Sequence, residues 1–308
     1  MNAKVHELLN QQINKEFYSA YLYLDFSNYF EDAGLDGFAN WYKIQAQEER
    51  DHAMLFYQYL QNENQKVTLE AIDKPDNAFS CHMDVLKAGL DHEKYVTSLI
   101  HKIYAEAYEA GLDRVGMLMS YGVLLMRRGE YEKAKTVLKK AEKAPGGLSQ
   151  DQRCQLLTNY AVASWKLGRT DYAVELLQEV YRKGKNGAIY TTLGYILIEK
   201  GDFAETLAFN QEAVDYDDED PVALDNLAQT YYRLGNDREE ARKWFEKALA
   251  FKPEAIDTNY FLALYDIEEG QYDRAREKLE IAKNGRLSPL NYATPERIDE
   301  ALRSIPQA

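Results

Sequence analysis

Apolar residues recur every three or four positions over three long stretches of the first third of the chain, residues 4–31, 35–63 and 83–110. This spacing places them on one face of a helix, so it predicts three long amphipathic helices. A short break at Asp32-Ala33-Gly34 separates the first two, and a long connection from about residue 63 to residue 81 leads to the third. A tight hairpin followed by a long crossover is typical of one class of helical bundle.

A different period begins after Gly111, where we expect a tight turn that ends the third helix. Five glycines recur at spacings of 39, 33, 34 and 35 residues, and each precedes a pattern such as GEYEKA or GQYDRA. A period of about 34 residues, with glycine between two helices, is the signature of tetratricopeptide repeats. The glycines are Gly129, Gly168, Gly201, Gly235 and Gly270.

The repeats predict a solenoid of paired helices that occupies residues 111–308, after a three-helix segment at residues 1–110. A polar capping helix is expected at 295–303, because an open solenoid end needs a polar outer face. The fold class is therefore predicted to be all-α. The five repeats are placed at 115–148, 154–187, 187–220, 221–255 and 256–289.

A carboxylate interrupts the apolar stripe near the middle of each of the first three helices: Glu16, Glu49 and Glu93. His52 follows Glu49 by one helical turn. Converging buried carboxylates repel one another and need a compensating charge, yet no Lys or Arg lies on these stripes. A metal ion such as iron, manganese or zinc suits the mixed oxygen and nitrogen set. A coincidental ExxH spacing is the alternative, and the spacing alone leaves both interpretations open.

Composition narrows the classes of function. The formal net charge of −14 argues against a nucleic acid or an anionic membrane as partner. Cys81 and Cys154 are isolated, without the CxxC spacing of a zinc site. The polar start and the lack of a long apolar run predict a cytoplasmic protein without signal peptide or membrane span.

The segments NKEFYSAYLYL (14–24), FANWYKIQAQEERDHAMLFYQYL (38–60) and LDHEKYVTSL (90–99) resemble bacterial non-haem ferritins over about residues 4–110. The resemblance implies a ferritin-like helical fold that continues into the solenoid. Ferritins of this family oxidise Fe(II) with dioxygen or peroxide and store a ferric mineral in a multi-subunit shell. The resemblance implies that the ligands of a di-iron centre are Glu16, Glu49, His52 and Glu93, with Tyr23 beside them.

The chain departs from the ferritin pattern at the fourth helix, which in the family supplies Glu and Gln ligands to the second iron. Between Asp113 and Glu130 this chain has no acidic residue and no Gln, and the stretch reads as the first helix of the first repeat. The second iron site would keep only Glu49 and Glu93. The resemblance therefore implies iron at one ion per chain and leaves ferroxidase activity open.

Tetratricopeptide solenoids bind peptides along the first helix of each repeat. The residues at those positions are largely apolar and aromatic, which favours a protein or peptide partner with an apolar or amphipathic segment. The alternative is that part of this stripe packs between adjacent helices. The predicted groove residues are Met119, Val123, Met126, Trp165, Tyr195, Ile198, Tyr232 and Tyr260.

Together these features predict an interaction scaffold, a repeat solenoid on a truncated ferritin-like oligomerisation segment with residual iron-binding ligands. The alternatives are a ferroxidase or iron-storage subunit that carries a repeat domain, and a purely structural fusion, natural or engineered. Tyr29, Phe30, Tyr57 and Leu60 are expected to give the first two helices spare apolar surface. A two-fold contact is the commonest way to bury such a patch, so we expect a homodimer.

Overall fold

Three long helices form the first part of the chain: α1, Ala3–Asp32; α2, Asp36–Asn62; and α3, His82–Glu109. The computed structural model describes residues 1–75 and 78–306, and within these ranges all regular structure is helical. Gly34, at φ +68°, closes the turn between α1 and α2 in the left-handed conformation that favours glycine. The helix ends lie within one residue of the predicted ones, which confirms the all-α fold class.

Two apolar clusters hold these helices together, and along α1 they lie on either side of Glu16. The first cluster is built around Leu8, Leu9, Ile13, Leu60 and Ile103. The second is built around Leu22, Tyr23, Phe26, Phe30, Tyr42 and Val85. Burial of this much apolar surface stabilises the segment enough to hold polar groups between the clusters.

Two residues expected on the outer surface of the hairpin lie instead in these clusters. Phe30 is 1% exposed and Leu60 is 0% exposed, because both lie on the stripes along which α1 and α2 face each other. The prediction that they provide spare apolar surface is therefore wrong. Tyr29 and Tyr57 are half-buried.

A turn separates α3 from the next helix, α4, Val115–Arg127. Gly111, at φ +95°, donates its N–H to the carbonyl of Tyr108, and Leu112 donates to the carbonyl of Ala107. This pair of bonds satisfies carbonyls at the end of α3, as in a glycine-terminated helix. Tyr121 of α4 lies parallel to Tyr104 of α3, with ring centroids 6.0 Å apart. The chain thus turns at Gly111 as expected.

The rest of the chain is a succession of helical hairpins. By internal contacts the chain divides into two compact units, Met1–Tyr121 and the residues from Gly122 onward, so the division lies inside α4. The predicted boundary between residues 110 and 111 stays a prediction. The helices after α4 are α5 (Tyr131–Glu142), α6 (Gln150–Lys166), α7 (Thr170–Lys183), α8 (Gly187–Lys200), α9 (Phe203–Tyr216), α10 (Pro221–Gln229), α11 (Arg238–Phe251), α12 (Ile256–Glu268), α13 (Tyr272–Asn284) and α14 (Pro295–Ser304).

The fourth hairpin departs from the others by one residue. A π-helical turn, Thr230–Gly235, follows α10, and Asn236 rather than Gly235 takes the left-handed conformation, at φ +51°. Gly235 is needed for space instead, because a Cβ there would lie 2.7 Å from the ring of Phe203. The inserted residue explains why the buried alanine after this glycine, Ala241, comes one position later than Ala134, Ala173 and Ala275 do in the first, second and fifth repeats.

Polar side chains are buried where the third and fourth hairpins meet. Asn210, fully buried, donates to Thr230 Oγ1 at 2.9 Å and to the carbonyl of Gly194 at 3.4 Å. A Cβ on Gly194 would lie 2.1 Å from Asn210 Oδ1, so only glycine lets α8 and α9 approach this closely.

Within residues 1–75 and 78–306, no helix combines the length and apolarity that a membrane crossing requires.

We expect Gly194→Ala to lower the free energy of unfolding by about 1–3 kcal/mol, because the added methyl group overpacks a buried amide. Urea unfolding followed by circular dichroism measures the change. Gly187→Ala on the same helix is the matched control, since its Cβ meets only Asp220 at 3.6 Å. Its effect is expected to stay within about 0.5 kcal/mol. Equal unfolding midpoints for the two variants would contradict the packing argument.

Candidate metal centre

Three of the four predicted metal ligands come together between α1 and α2. Glu16, Glu49 and His52 each offer one ligand atom, and these atoms all lie within 4.8 Å of one another. Glu16 and Glu49 are 3% and 8% exposed, whereas the His52 side chain is 53% exposed. The i,i+3 spacing on α2 brings His52 Nδ1 to 3.2 Å from Glu49 Oε2. The centre is buried on its carboxylate side and open to solvent on its imidazole side.

Glu16 is the least satisfied group of the centre. Its Oε1 accepts a hydrogen bond from Gln12 Nε2 at 2.9 Å, while its buried Oε2 has no partner among the described residues. Burial, and secondarily the carboxylate of Glu49, raises the pKa of Glu16 to about 7. A cation at this point would supply the missing partner and favour the ionised form. The donor set therefore fits a transition-metal ion.

The fourth predicted ligand, Glu93, is not part of this group of three in the described ranges. Its carboxylate accepts a hydrogen bond from the hydroxyl of Tyr23. Burial, and then this bond to Glu93, raises the pKa of Tyr23. Tyr23 therefore stays protonated and holds Glu93 in place. The assignment of all four residues as metal ligands stays a prediction.

The sequence did not predict three neighbours of the candidate metal centre. Gln12 lies one turn before Glu16 and donates to it, a contact that the i,i+4 spacing would have indicated. Ser19 Oγ lies 2.7 Å from His92 Nε2, next to Glu93 in sequence. Burial lowers the pKa of His92, so its ring is predominantly neutral near pH 7. No sequence signal paired Ser19 with His92, because the two are 73 residues apart.

One flank of α2 beside the centre is uncovered. Trp41, His52 and Leu55 lie on this flank at helical spacing, and Trp41 and Leu55 are 52% and 68% exposed. An ion can therefore reach the imidazole from solvent without any movement of the helices.

Most of the residues predicted to line a peptide groove are buried. Trp165 of α6 and Tyr195 of α8, for example, pack edge to face, with ring centroids 5.6 Å apart. Such contacts link the first helices of successive repeats, as the alternative interpretation expected. The peptide-contact role of the set stays a prediction. Met119, Met126, Trp165, Tyr195, Ile198 and Tyr260 are buried, and Val123 and Tyr232 are half-buried.

Comparison with known proteins finds a matching family for each of the two parts of the chain. The ferritin-like domain family matches residues 6–118. A bacterial non-heme ferritin of Campylobacter jejuni is 35% identical over 103 residues, 33% of this chain and 62% of that protein. Ferritin BfrB of Mycolicibacterium smegmatis is 31% identical over 148 residues, 48% of this chain and 81% of that protein. The chain belongs to the ferritin-like family. A tetratricopeptide repeat family matches residues 222–252, so the predicted fusion is confirmed.

The ferritin-like chain nevertheless spans only 60–66% of the length of the first three curated relatives it matches. An open pore ferritin from the archaeon Archaeoglobus fulgidus is 33% identical, with a TM-score of 0.36 over 46% of this chain and 86% of that one. The sequence matches identify the family of the first part of the chain and leave the activity of the whole to be proposed.

We expect Glu16→Gln to change how stability depends on pH. The pKa of Glu16 is raised from 4.5 to about 7 in the folded protein, so ionisation destabilises the fold as pH rises through this window. Between pH 4.5 and 7, the free energy of unfolding of the parent should fall by about 1–3 kcal/mol relative to the variant. Urea unfolding with a chelator present measures the difference. Glu48→Gln, at an exposed position of α2, serves as control and should run parallel to the parent.

Proposed function

We propose that the chain is a protein-interaction scaffold. Its solenoid binds a partner protein or peptide, and its ferritin-like segment binds one iron ion per chain and joins two copies. The observation that supports this best is the convergence of Glu16, Glu49 and His52 without Glu93. Two oxygens and one nitrogen are a ligand set for one ion, and a bound ion would neutralise the two buried carboxylates.

A ferroxidase or iron-storage subunit is the second candidate. The ferritin relatives and the presence of all four implied ligands favour it. A second ion, however, would need ligands from α4, and this helix carries no acidic residue, Gln or His. A purely structural fusion, the third candidate, would bind no metal.

Calorimetric titration distinguishes the three candidates. The scaffold proposal expects about one Zn(II), or anaerobic Fe(II), per chain, bound by Glu16, Glu49 and His52. Glu49→Ala removes the central carboxylate and should weaken binding by about tenfold or more. Glu48→Ala, at the exposed neighbouring position, removes the same charge and should leave binding unchanged.

Two results would overturn the single-ion proposal. A stoichiometry of two with sustained Fe(II) oxidation would favour the ferroxidase. Absence of binding, together with a Glu49→Ala protein more stable than the parent, would favour the structural fusion, because the buried carboxylates would then only cost stability.

The outer face of the α1–α2 hairpin supports the dimer. A groove of about 630 Å³ runs between the two helices there, lined by Phe17, Tyr21 and Leu24 of α1 and closed by Ile72. Tyr21, Leu24 and Ile72 are 51%, 48% and 46% exposed. These residues, rather than Phe30 and Leu60, form the apolar side of the groove that a two-fold contact would bury, and Lys43 and Arg50 of α2 line its other side.

We expect Leu24→Arg to convert the dimer to a monomer, because it would remove an apolar contact and bury a third positive charge in a groove that Lys43 and Arg50 already line. Sedimentation equilibrium of parent and variant measures the change. Leu55→Arg is the matched control, since Leu55 is 68% exposed on the opposite flank of α2. A monomeric parent, a shell-sized particle, or dissociation by Leu55→Arg alone would each refute the proposed face.

A further inference from the structure

A groove in the second unit lies along the first helices of its last three hairpins. It has a volume of about 1060 Å³ and is bordered by α8, α10, α12, α13 and the segment that follows α13. Its walls are mainly apolar, and two of the apolar side chains, Val222 and Ile281, are 45% and 37% exposed. All the residues that line the groove belong to the second unit.

Two buried carboxylates line this groove. Asp225 of α10 and Asp257 of α12 are 7% and 6% exposed. Asp225 accepts hydrogen bonds from Thr258 Oγ1 at 2.6 Å and from Gln229 Nε2 at 2.7 Å. Asp257 accepts from the backbone amides of Tyr292 and Ala293, both at 2.9 Å, and Gln229 reaches it at 3.4 Å. The amide of Gln229 thus joins the two acids.

Neither aspartate has a basic partner within ion-pair distance in residues 1–75 and 78–306. The contrast is Asp266, also buried, whose carboxylate pairs with Lys278 Nζ at 2.6 Å. The nearest candidate for Asp225 is Arg233, but its guanidinium bonds Glu199 at 2.6 Å and Gln229 Oε1 at 3.1 Å. The charge of Arg233 acts on Asp225 only from a distance, so the pair is left without a salt bridge in the described ranges.

Electrostatics around the pair favours a bound proton in the empty groove, which a bound cation would displace. Burial, and next the carboxylate of Asp257, raises the pKa of Asp225 to about 7. Burial also raises the pKa of Asp257, against the hydrogen bonds it accepts. The other charged groups that line the groove are three acids and two bases, so the whole groove is net negative. They are Glu254, Glu277, Glu280, Lys252 and Arg286.

We propose that this groove binds an extended peptide whose Lys or Arg side chain reaches between Asp225 and Asp257, while apolar neighbours of that residue pack on Val222, Ile256 and Ile281. The inference rests on the proposed scaffold function and specifies the partner. A guest ammonium or guanidinium would donate to carboxylate lone pairs that Thr258 and Gln229 leave open. Apolar walls exclude water from the pair and so strengthen the contact.

The full chain is tested with nonapeptide libraries that carry Lys, norleucine or Glu at the centre and randomised apolar residues on both sides. The tightest Lys-centred peptide is resynthesised with norleucine, which keeps the stem but removes the charge. Fluorescence anisotropy is expected to show about tenfold or more tighter binding of the Lys peptide. This preference should vanish in Asp225→Asn/Asp257→Asn and persist in Asp171→Asn/Asp273→Asn, where both aspartates are exposed.

A second measurement uses only the parent protein, so it does not depend on how the asparagine variant folds. Because a guest cation favours the ionised pair, binding of the Lys peptide near pH 6.5 should release protons. Calorimetry in two buffers of different ionisation enthalpy detects this release, and the norleucine peptide should show none. Circular dichroism of both double variants establishes that each is folded.

The outcomes separate the inference from the scaffold function on which it rests. Equal affinity for Lys and norleucine peptides, or no proton release, overturns the cation preference and leaves the scaffold standing. If none of the three libraries binds, both the cation preference and the scaffold function of this groove are overturned. Calcium or zinc binding that disappears in Asp225→Asn/Asp257→Asn, without peptide binding, overturns the peptide assignment in favour of a metal site.

Discussion

Burial of a carboxylate without a counter-charge is the constraint on which both parts of this protein depend. In the ferritin-like segment, Glu16 and Glu49 lie at the α1–α2 interface, and Glu16 Oε2 has no partner in the described part of the chain. The apolar clusters on either side supply the free energy that holds this arrangement. Such an arrangement costs stability in the empty protein and stabilises a bound cation, which is the balance expected of a binding site.

The solenoid meets the same constraint in two different ways. Asp266 is neutralised within the fold by Lys278, so its burial requires no ligand. Asp225 and Asp257 share the amide of Gln229, which satisfies hydrogen bonds but cannot cancel charge. The Asp266–Lys278 ion pair stabilises the fold by itself. The Asp225–Asp257 pair lines a groove and has no ion-pair partner among the described residues. The contrast distinguishes buried acids that only stabilise the fold from those suited to recognition.

Periodicity predicted what depends on local spacing, and it could not predict what depends on contacts between distant elements. The helix ends, the five hairpins and the convergence of Glu49 with His52 follow from positions close in sequence. The burial of Asp225 and Gln229 could not be predicted from α10 alone, because it depends on Thr258 and Asp257 of the next repeat. Spacing alone likewise could not show that Trp165 packs edge to face on Tyr195 of the next repeat.

The sequence of α4 supports the proposal of one ion per chain. Leu118 and Met119 are 0% and 5% exposed, so this helix supplies side chains for burial and contributes no ligand oxygen. A second ion would depend on Glu93, whose carboxylate is already engaged by the hydroxyl of Tyr23. Tyr23 keeps its proton because burial and the adjacent carboxylate both oppose ionisation. The loss of a ligand-bearing fourth helix is thus matched by a hydrogen bond that satisfies the remaining glutamate without metal.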